Sequence, residues 1–303
     1  MRTILVTGGL GMIGAHTARA LVDLGHAVVV TAHQRTEVPS FLAGRVTVEP
    51  LDVTDREAFL ALAGRHDISD IVHLAGSMPD EDPVAFFRTD TAGLLNALDA
   101  ARAWGVRRFA AAGSLGVYFG RDETRWHEEL ALPAAPLPHL IVAFKKAVEP
   151  LTTHGLQGSG VQPLVLRIGT VWGPLVHPRI PFHIPAYIHA VLRGETPPPL
   201  YADDGFDCCY APDVGRAIAL LMSAETLPHD TYNVSSGRPA TNREFVDALQ
   251  AITPGLRLDL RPGRRDGPYL DITRLTRDTG FAPTFDVATA VADYVAWRAD
   301  NPR

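Results

Sequence analysis

Residues 3–14 read Thr-Ile-Leu-Val-Thr-Gly-Gly-Leu-Gly-Met-Ile-Gly and decide the fold of the chain. A short apolar run is followed by three glycines spaced three apart, and then by a segment of helical apolar periodicity that continues to Leu24. In a strand–loop–helix unit, Gly8 permits the tight turn, Gly11 lets the backbone approach a pyrophosphate, and Gly14 lets the helix pack on the strand. The pattern predicts a dinucleotide site whose phosphates bind to N–H groups at the helix start.

The composition is that of a globular protein with one α/β domain and a smaller appendage. The 303 residues are 46% apolar and 20% charged, with a formal net charge of −6 and an isoelectric point near 6.0. No basic stripe is present to neutralise phosphates, so we expect no nucleic-acid partner. Cys208 and Cys209 are adjacent, which excludes a disulfide framework and a four-ligand metal site. We therefore predict no metal.

Targeting and membrane segments are not predicted either. The N-terminus enters the first strand directly, and no run of about 18 apolar residues occurs. Together with the cysteine usage, this pattern predicts a cytoplasmic protein that does not enter a membrane.

Strand and helix signals alternate from Met1 to about Arg167, which predicts a Rossmann-type α/β fold with a doubly wound parallel sheet. The expected strands cover residues 4–6, 27–31, 46–48, 71–74, 108–112 and 163–167. The expected helices cover 13–24, 54–64 (opened by a capping box of Thr54 and Glu57), 83–104 (apolar side Val84, Phe87, Leu94, Leu95 and Leu98) and 139–153. Segment 119–138 is expected to form a loop over a cleft mouth.

Beyond Gly173 the alternation ends and Pro-rich pieces surround shorter elements. Helices are expected at 184–192, 213–221 and 287–298, and another, opened by a capping box of Thr241 and Glu244, runs to Ile252. Strands are expected at 200–201 and 207–210. We predict a dinucleotide-binding domain over 1–173, with strand and helix returns near 207–235, and a smaller, mostly substrate-binding lid over 174–303. Ligands of open α/β sheets bind at the carboxyl ends of the strands, so the lid should cover that edge.

Seven segments carry a resemblance to one family. They are TGGLGMIG at 7–14, LDVTD at 51–55, HLAG at 73–76, SLGVY at 114–118, RIGTVWGP at 167–174, FDCCYAPDVGRA at 206–217 and YNVSSGRPATNREF at 232–245. Through them the whole chain resembles the extended short-chain dehydrogenase/reductase family, in particular its nucleotide-sugar epimerase/dehydratase branch. The resemblance implies cofactor contacts from Gly8, Gly11, Met12, Ile13, Gly14, Asp52, Val53, Leu74, Ala75 and Gly76. Within this set it implies that Asp52 and Val53 contact adenine and that residues 74–76 line the nicotinamide ribose.

The resemblance also implies catalytic residues, with one departure. Ser114 matches the serine that hydrogen-bonds the reacting oxygen, and Lys145 matches the lysine that holds the nicotinamide ribose and lowers the pKa of a tyrosine. That tyrosine should stand four residues before the lysine, where this chain has Ile141. An isoleucine cannot transfer a proton, so the usual acid/base is missing.

Three nearby groups are candidates to replace the tyrosine. Tyr118 lies on the loop that follows the fifth strand, and its side chain is a phenol. His139 begins the helix that carries Lys145, and its imidazole has a pKa suited to proton transfer near neutral pH. His183 lies in a stretch that lines the substrate pocket of relatives. Each has a plain structural alternative, because a family tyrosine at the position of Tyr118 usually supports the loop and a lone histidine is most often a surface or packed residue. The sequence leaves the choice open.

The substrate is expected to be sugar-like or another hydroxylated or ketone molecule. Relatives that bind nucleotide diphosphosugars usually carry an arginine where Phe206 stands, and phenylalanine cannot clamp a diphosphate. Arg264 and Arg265 are alternative partners for such phosphates. The substrate-binding residues expected from the resemblance are Ser77, Ser114, Ile141, Trp172, His183 and Phe206.

The end of the second strand favours NADP over NAD as cofactor. NAD-preferring relatives carry a carboxylate there for the ribose 2′-OH, whereas this chain has Ala32, and Arg35 follows shortly after. Arg35 is suited to pair with a 2′-phosphate.

Together these observations predict an NAD(P)-dependent epimerase, dehydratase or reductase that acts by reversible hydride transfer with a non-standard acid/base. The competing hypothesis is a dinucleotide-binding protein without redox turnover, either a cofactor sensor or a fold reused for a non-redox cyclisation or elimination. The resemblance also implies a homodimer, formed through the helices at 83–104 and 139–153.

Overall fold

The computed structural model describes residues 1–79, 82–177, 183–197, 199–253, 255–263 and 266–301. Arg264 and Arg265, considered above as phosphate partners, lie outside this range. The strands are β1 (Thr3–Thr7), β2 (Ala27–Ala32), β3 (Thr47–Pro50), β4 (Asp70–His73), β5 (Arg108–Ala112), β6 (Arg125–Trp126), β7 (Gln162–Ile168), β8 (Val171–Trp172), β9 (Leu200–Tyr201), β10 (Gly205–Asp207), β11 (Cys209–Tyr210), β12 (Thr231–Val234), β13 (Pro239–Thr241), β14 (Leu260–Arg261) and β15 (Tyr269–Leu270). The helices are α1 (Met12–Asp23), α2 (Arg56–Leu60), α3 (Pro83–Trp104), α4 (Leu140–Gly155), α5 (His183–Leu192), α6 (Ala211–Ser223), α7 (Asn242–Ile252), α8 (Thr273–Thr279) and α9 (Val287–Asp300).

Seven parallel strands form the central sheet in the order β12-β7-β5-β4-β1-β2-β3. In the middle, Leu5 of β1 pairs with Val29 of β2 on one side and Ile71 of β4 on the other. The chain first moves outward from β1 to β3 and then crosses to β4, so the strand order reverses beside β1. A crevice forms at such a reversal, at the carboxyl ends of the strands. The predicted Rossmann-type fold is confirmed.

The sheet is covered on both faces, which explains the continuous apolar runs of its strands. Ile4, Leu5 and Val6 are fully buried. Ile4 and Val6 belong to an apolar cluster with α1 and α6, whereas Leu5 belongs to a second cluster with α3 and α4. Successive side chains of a strand point to opposite faces, so each strand contributes to both layers.

Two helix details differ from the sequence prediction. The N-cap of α2 is Asp55, whose carboxylate accepts from the amide of Ala58 at 3.0 Å. The hydroxyl of Thr54 instead donates to Asp52, so the expected Thr54 capping box does not form. Helix α3 has the predicted bounds, but Val84 and Leu95 are exposed, and its buried side consists of Phe86, Leu94, Leu98 and small residues between them.

The C-terminal part of the chain returns to the large sheet. Strand β12 pairs with β7, and α6 packs on α1 so closely that a Cβ on Gly215 would lie 2.4 Å from the carbonyl carbon of His16. Helix α7 begins with the predicted capping box of Thr241 and Glu244. Helices α5, α7 and α9 surround an aromatic cluster that contains Trp172. Helix α8 was not predicted, and the proposed domain boundary at residue 173 remains a prediction.

Segment 119–138 is tied to the C-terminal region, since Trp126 of β6 pairs with Leu270 of β15 and is buried. Across the described ranges, no helix is both long enough and apolar enough to cross a membrane.

Candidate active site

The glycine loop between β1 and α1 forms a close backbone cradle. Gly8 has a φ of 64°, and a Cβ there would lie 2.9 Å from backbone atoms of Ala75. A Cβ on Gly14 would lie 2.2 Å from the carbonyl oxygen of Gly8, so the loop and the helix start are in contact. At Gly11, the N-cap of α1, a Cβ would meet a single atom within 4 Å, the Gly8 oxygen at 3.3 Å. Gly11 therefore leaves open space in front of the helix N-terminus.

A buried threonine–histidine pair holds the loop after β4 against this cradle. The amides of Leu74 and Ala75 donate to Thr7 Oγ1 at 3.2 and 3.3 Å, and Thr7 Oγ1 lies 2.9 Å from Nδ1 of His73. Burial lowers the pKa of His73 to about 3, so its ring is neutral at pH 7. Since the threonine oxygen accepts from both amides, its own proton is available to Nδ1 of the neutral ring.

A cleft of about 1200 Å³ runs along the carboxyl ends of the central strands. It brings together most of the residues predicted for the site: Gly8, Gly11, Met12, Ile13, Gly14, Arg35, Asp52, Val53, Leu74, Ala75, Gly76, Ser77, Ser114, His139 and Lys145. One continuous space therefore connects the glycine cradle with the candidate catalytic groups. Among the described residues, no three or more histidine, cysteine or acidic side chains come together as a metal site.

One end of the cleft is lined by the loops after β2 and β3. The amide and hydroxyl of Thr54 donate to Oδ1 of Asp52 at 2.9 and 2.8 Å and lower the pKa of that carboxyl group. Oδ2 of Asp52 lies 3.7 Å from Nε2 of His33. Arg35 donates from Nη1 to the carbonyl oxygen of Leu10 at 3.3 Å. This end of the cleft therefore carries a negative carboxylate, Asp52, and a positive guanidinium group, Arg35.

The other end holds Ser114 and Lys145. Nζ of Lys145 donates to the carbonyl oxygen of Ala112, the last residue of β5, at 2.6 Å. Ser114 follows two residues later, and its Oγ accepts from the amide of Gly116 at 3.1 Å. Burial lowers the pKa of Lys145 to about 8, and the carboxylate of Asp90 opposes part of this change. His139 is the exposed N-cap residue of α4 and also lines the cleft.

Ile141 lies one helical turn before Lys145 but in a different environment. Its half-buried side chain packs against the apolar cluster between the sheet, α3 and α4. The described residues that line the cleft do not include it. The side chain of Ile141 therefore contributes to this apolar cluster, and its contact with substrate stays a prediction.

Tyr118 is engaged in a buried polar network and does not line the described part of the cleft. Its hydroxyl donates to Oδ1 of Asn233 at 2.9 Å and accepts from Nη1 of Arg167 at 2.8 Å. Arg167 also pairs with Glu149 of α4 through two hydrogen bonds of 2.8 Å. Burial raises the pKa of Tyr118 to about 12. Tyr118 is thus unsuited to the acid/base role considered for it and instead ties α4 to the sheet.

Trp172 and Phe206, expected to bind substrate, lie in the aromatic cluster of the C-terminal part. The Trp172 ring is fully buried, with its centroid 4.9 Å from that of Tyr210 and 5.3 Å from that of Phe245. Phe206 stacks on Phe245 with a centroid separation of 5.9 Å. Both aromatic rings pack in the cluster that α5, α7 and α9 surround. His183 begins α5.

Asp90 is a residue of the cleft that the sequence did not indicate. It lies on α3 and accepts from both the amide and the hydroxyl of Ser77, at 2.9 and 2.6 Å. A carboxylate in the middle of a helix resembles an ordinary solvated residue. The available sequence signal was the glycine three residues after it, Gly93, because a glycine within a helix often marks a close contact. In the structure α3 comes so close to Val53 there that a Cβ on Gly93 would lie 2.9 Å from the valine side chain.

Comparison with known proteins agrees with this geometry. A model of the NAD dependent epimerase/dehydratase family matches residues 4–235. The dTDP-glucose 4,6-dehydratase of Streptomyces griseus is 28% identical over an alignment of 316 positions, gaps included, that covers 97% of this chain and 93% of the dehydratase. A crystal structure of a UDP-glucose 4-epimerase is similar with a TM-score of 0.86 at 21% identity and covers 100% of this chain and 99% of that chain.

A second similar structure is the UDP-glucose 4-epimerase from Stenotrophomonas maltophila with bound NAD and formylated UDP-arabinopyranose. Its TM-score is 0.81 at 22% identity, and the match covers 99% of both chains. These matches confirm the family that the sequence motifs indicated. Because the family model covers most of its length, this chain belongs to the NAD dependent epimerase/dehydratase family.

Proposed function

We propose that the protein is an NAD(P)-dependent enzyme that acts on a sugar-like or other hydroxylated small molecule by reversible hydride transfer. The single observation that supports this most is the cleft, which joins the glycine cradle at one end to Ser114 and Lys145 at the other. An extended dinucleotide needs such a continuous path from a phosphate-binding helix start to polar groups near its nicotinamide.

The cradle fits the diphosphate of a dinucleotide. The open space in front of Gly11 and the helix start that follows it, Met12 to Gly14, would hold the phosphates through backbone N–H groups. Asp52 and Val53 would contact adenine, and Leu74, Ala75 and Gly76 would line the nicotinamide ribose. When bound, the cofactor supplies hydride acceptance and donation.

NADP is the cofactor that we propose, with NAD as the alternative. The absence of a carboxylate at Ala32 and the presence of Arg35 in the cleft lining support NADP. The bound NAD named for the Stenotrophomonas epimerase supports the alternative. Arg35 distinguishes the two because only NADP carries a 2′-phosphate for it.

The first substrates to test are UDP- and dTDP-sugars, since the similar dehydratase and epimerases are named for them. Phenylalanine at position 206 has no positive charge to bind such a diphosphate, so uncharged sugars and ketones are tested beside the nucleotide sugars. Ser77 and Ser114 would bind substrate hydroxyl groups. Of the three groups considered as replacements for the tyrosine, His139 is the one among the described lining residues of the cleft, and Ser114 and Lys145 line it as well.

The experiment is a mixing assay with purified protein, NADP or NAD, and this substrate panel. Appearance or loss of reduced-nicotinamide absorbance with at least one substrate is the expected result. Because an epimerase or dehydratase returns the hydride within each turnover, the products are also analysed by mass spectrometry, and the result against the proposal is tight cofactor binding with neither an absorbance change nor conversion of any substrate.

A non-redox reaction in the same fold is the second candidate. It is favoured by one observation: no tyrosine is found among the described residues that line the cleft. A turnover that Ser114→Ala abolishes, and in which no deuterium passes from a labelled substrate to nicotinamide, would select this alternative.

We further propose a cytoplasmic homodimer that uses α3 and α4. Val84 and Leu95 are 59% and 46% exposed, and their spacing of eleven residues sets both on one face of α3. A light-scattering mass of one chain at micromolar concentration would refute the dimer.

A further inference from the structure

We propose that Ser77 and Asp90 form a subsite of the cleft that offers a ligand only hydrogen-bond acceptors and therefore binds a hydroxyl group of a sugar ring. That ring belongs either to the substrate or to a ribose of the cofactor. The inference deepens the proposed function and rests on it. Asp90 is a specificity-determining residue in this account.

The first support is the direction of the hydrogen bonds within the pair. The amide and the hydroxyl group of Ser77 both lie at hydrogen-bond distance from Oδ1 of Asp90, at 2.9 and 2.6 Å. A carboxylate carries no proton, so Ser77 is the donor in both bonds. Its hydroxyl proton is therefore engaged, and Oγ presents only lone pairs to the cleft.

The second support is the open side of the other carboxylate oxygen. None of the residues that the structure describes donates a hydrogen bond to Oδ2 of Asp90. A Cβ on Gly76 would meet Oδ2 at 3.5 Å and, its chain neighbours apart, no other atom within 4 Å. Ser77 is exposed, Asp90 is half-buried, and both line the cleft. Gly76 therefore leaves room in front of two accessible acceptors, Oγ and Oδ2.

The third support is the position of this loop beside the glycine cradle. A Cβ on Gly8 would lie 2.9 Å from backbone atoms of Ala75, so the loop after β4 touches the cradle. Ser77 follows two residues later, which is about 7 Å of chain at most. A ring attached to a diphosphate in the cradle, or a substrate beside it, is therefore close enough to bind to the subsite.

Acceptors without donors select a ligand by its chemistry. A hydroxyl group can donate to the Asp90 carboxylate, and hydrogen bonds to a charged acceptor are among the strong ones. A keto, carboxylate or phosphate oxygen at the same point has no proton to donate, and an anion is also repelled. A deoxy analogue leaves the carboxylate desolvated without a partner, which sites of this kind reject strongly. The subsite therefore favours a hydroxylated ring over its keto or deoxy form.

The main test replaces the cleft-facing acceptor by a donor in Asp90→Asn. The two donors of Ser77 hold the new amide oxygen in the place of Oδ1, so the NH₂ group takes the place of Oδ2. The dissociation constant of a ligand that uses the subsite should rise at least about tenfold. The amide proton of Ser77 should stay protected from hydrogen exchange, which shows that the loop keeps its structure.

A second variant, Gly76→Ala, fills the room and leaves the carboxylate in place. The backbone of Gly76 lies outside the left-handed region, and 3.5 Å is an ordinary contact for the added methyl group, so the fold should persist. It should weaken the same ligand as Asp90→Asn does. The matched control is Asp99→Asn, on the same helix but ion-paired with Arg56 at the surface, which should change no affinity.

Four probes distinguish the two sources of the hydroxyl group: NADP and NAD with the free protein, and UDP-glucose and D-glucose with the cofactor-loaded protein. Weaker binding of both dinucleotides to Asp90→Asn assigns the subsite to a cofactor ribose. Weaker binding of a sugar, with unchanged dinucleotide affinity, assigns it to the substrate.

The inference is overturned if every probe that binds the wild type binds Asp90→Asn equally well, or if Asp99→Asn causes an equal loss. A wild type that binds neither dinucleotide would overturn the proposed function and the subsite with it. Binding is measured without turnover, so a protein that shows the expected losses but no redox conversion would refute the proposed function alone.

Discussion

Ile141 and Lys145 stand one helical turn apart on α4, yet Lys145 lines the cleft and Ile141 packs into the core. Position 141 therefore supplies no polar group to the end of the cleft that holds Lys145 and Ser114. Lys145 and Ser114 both line the cleft, but the tyrosine expected at position 141 from the resemblance is replaced by isoleucine.

Ile141 is half-buried and stands one helical turn before Lys145, so the longer side chain of Ile141→Tyr should extend past the apolar cluster and bring a hydroxyl group near Lys145 and Ser114. We expect generic carbonyl reduction to rise by about 100-fold, the usual scale of a positioned general acid. The larger ring overpacks the cluster, so the free energy of unfolding should fall by about 1–3 kcal/mol. Ile141→Phe is the matched control, because it has the same ring without the hydroxyl group. Equal rates in the two variants would contradict the prediction.

Gly11→Ala tests the phosphate cradle. The backbone at Gly11 has a φ of −78°, which alanine adopts, and the added Cβ meets only the Gly8 oxygen within 4 Å. The fold should therefore persist, while the methyl group occupies the space proposed for the pyrophosphate. We expect the Kd for the dinucleotide to rise at least about tenfold, which is about 1.4 kcal/mol. In the control Gly64→Ala, the added Cβ has no neighbour within 4 Å and affinity should not change.

Arg35→Ala tests the cofactor preference. Loss of a charge-assisted contact with the 2′-phosphate should weaken NADP binding by about 1–3 kcal/mol and leave NAD binding nearly unchanged. Arg45→Ala, which removes an arginine paired with Asp23, is the control. Titration of both cofactors against each variant decides the matter, and equal losses for NAD and NADP would refute the role of Arg35.

Tyr118→Phe tests the assignment of Tyr118 to the structural network. Removing the hydroxyl leaves Asn233 and Arg167 each without one buried partner, so we expect a loss of about 1–3 kcal/mol in unfolding free energy by urea denaturation. Turnover at a temperature where the variant is folded should stay within a few-fold of the wild type. Tyr201→Phe, at an exposed position, should change neither quantity. If the variant kept its stability but lost turnover, Tyr118 would instead have a catalytic role.

The sequence predicted those parts of the fold that depend on local patterns. The glycine loop, strand β5 and helix α3 have the expected bounds or differ by a residue or two, because apolar periodicity and capping residues are local signals. Contacts between distant segments were harder to predict. Trp172 and Tyr118 lie in motifs shared with relatives, but their burial depends on Phe245 and Asn233, far along the chain. Asp90 was missed because a carboxylate within a helix resembles an ordinary solvated residue, and its hydrogen bonds with Ser77 form only when α3 and the loop after β4 come together.

The central claim is that hydride moves between substrate and nicotinamide in this cleft. The most direct measurement uses the accepted substrate, deuterated at the carbon to be oxidised, mixed with stoichiometric enzyme and oxidised cofactor and quenched within one turnover. Mass spectrometry of the recovered cofactor should show one deuterium on nicotinamide, and Lys145→Arg should greatly reduce this transfer. Consumption of the substrate while the nicotinamide acquires no deuterium would contradict the account.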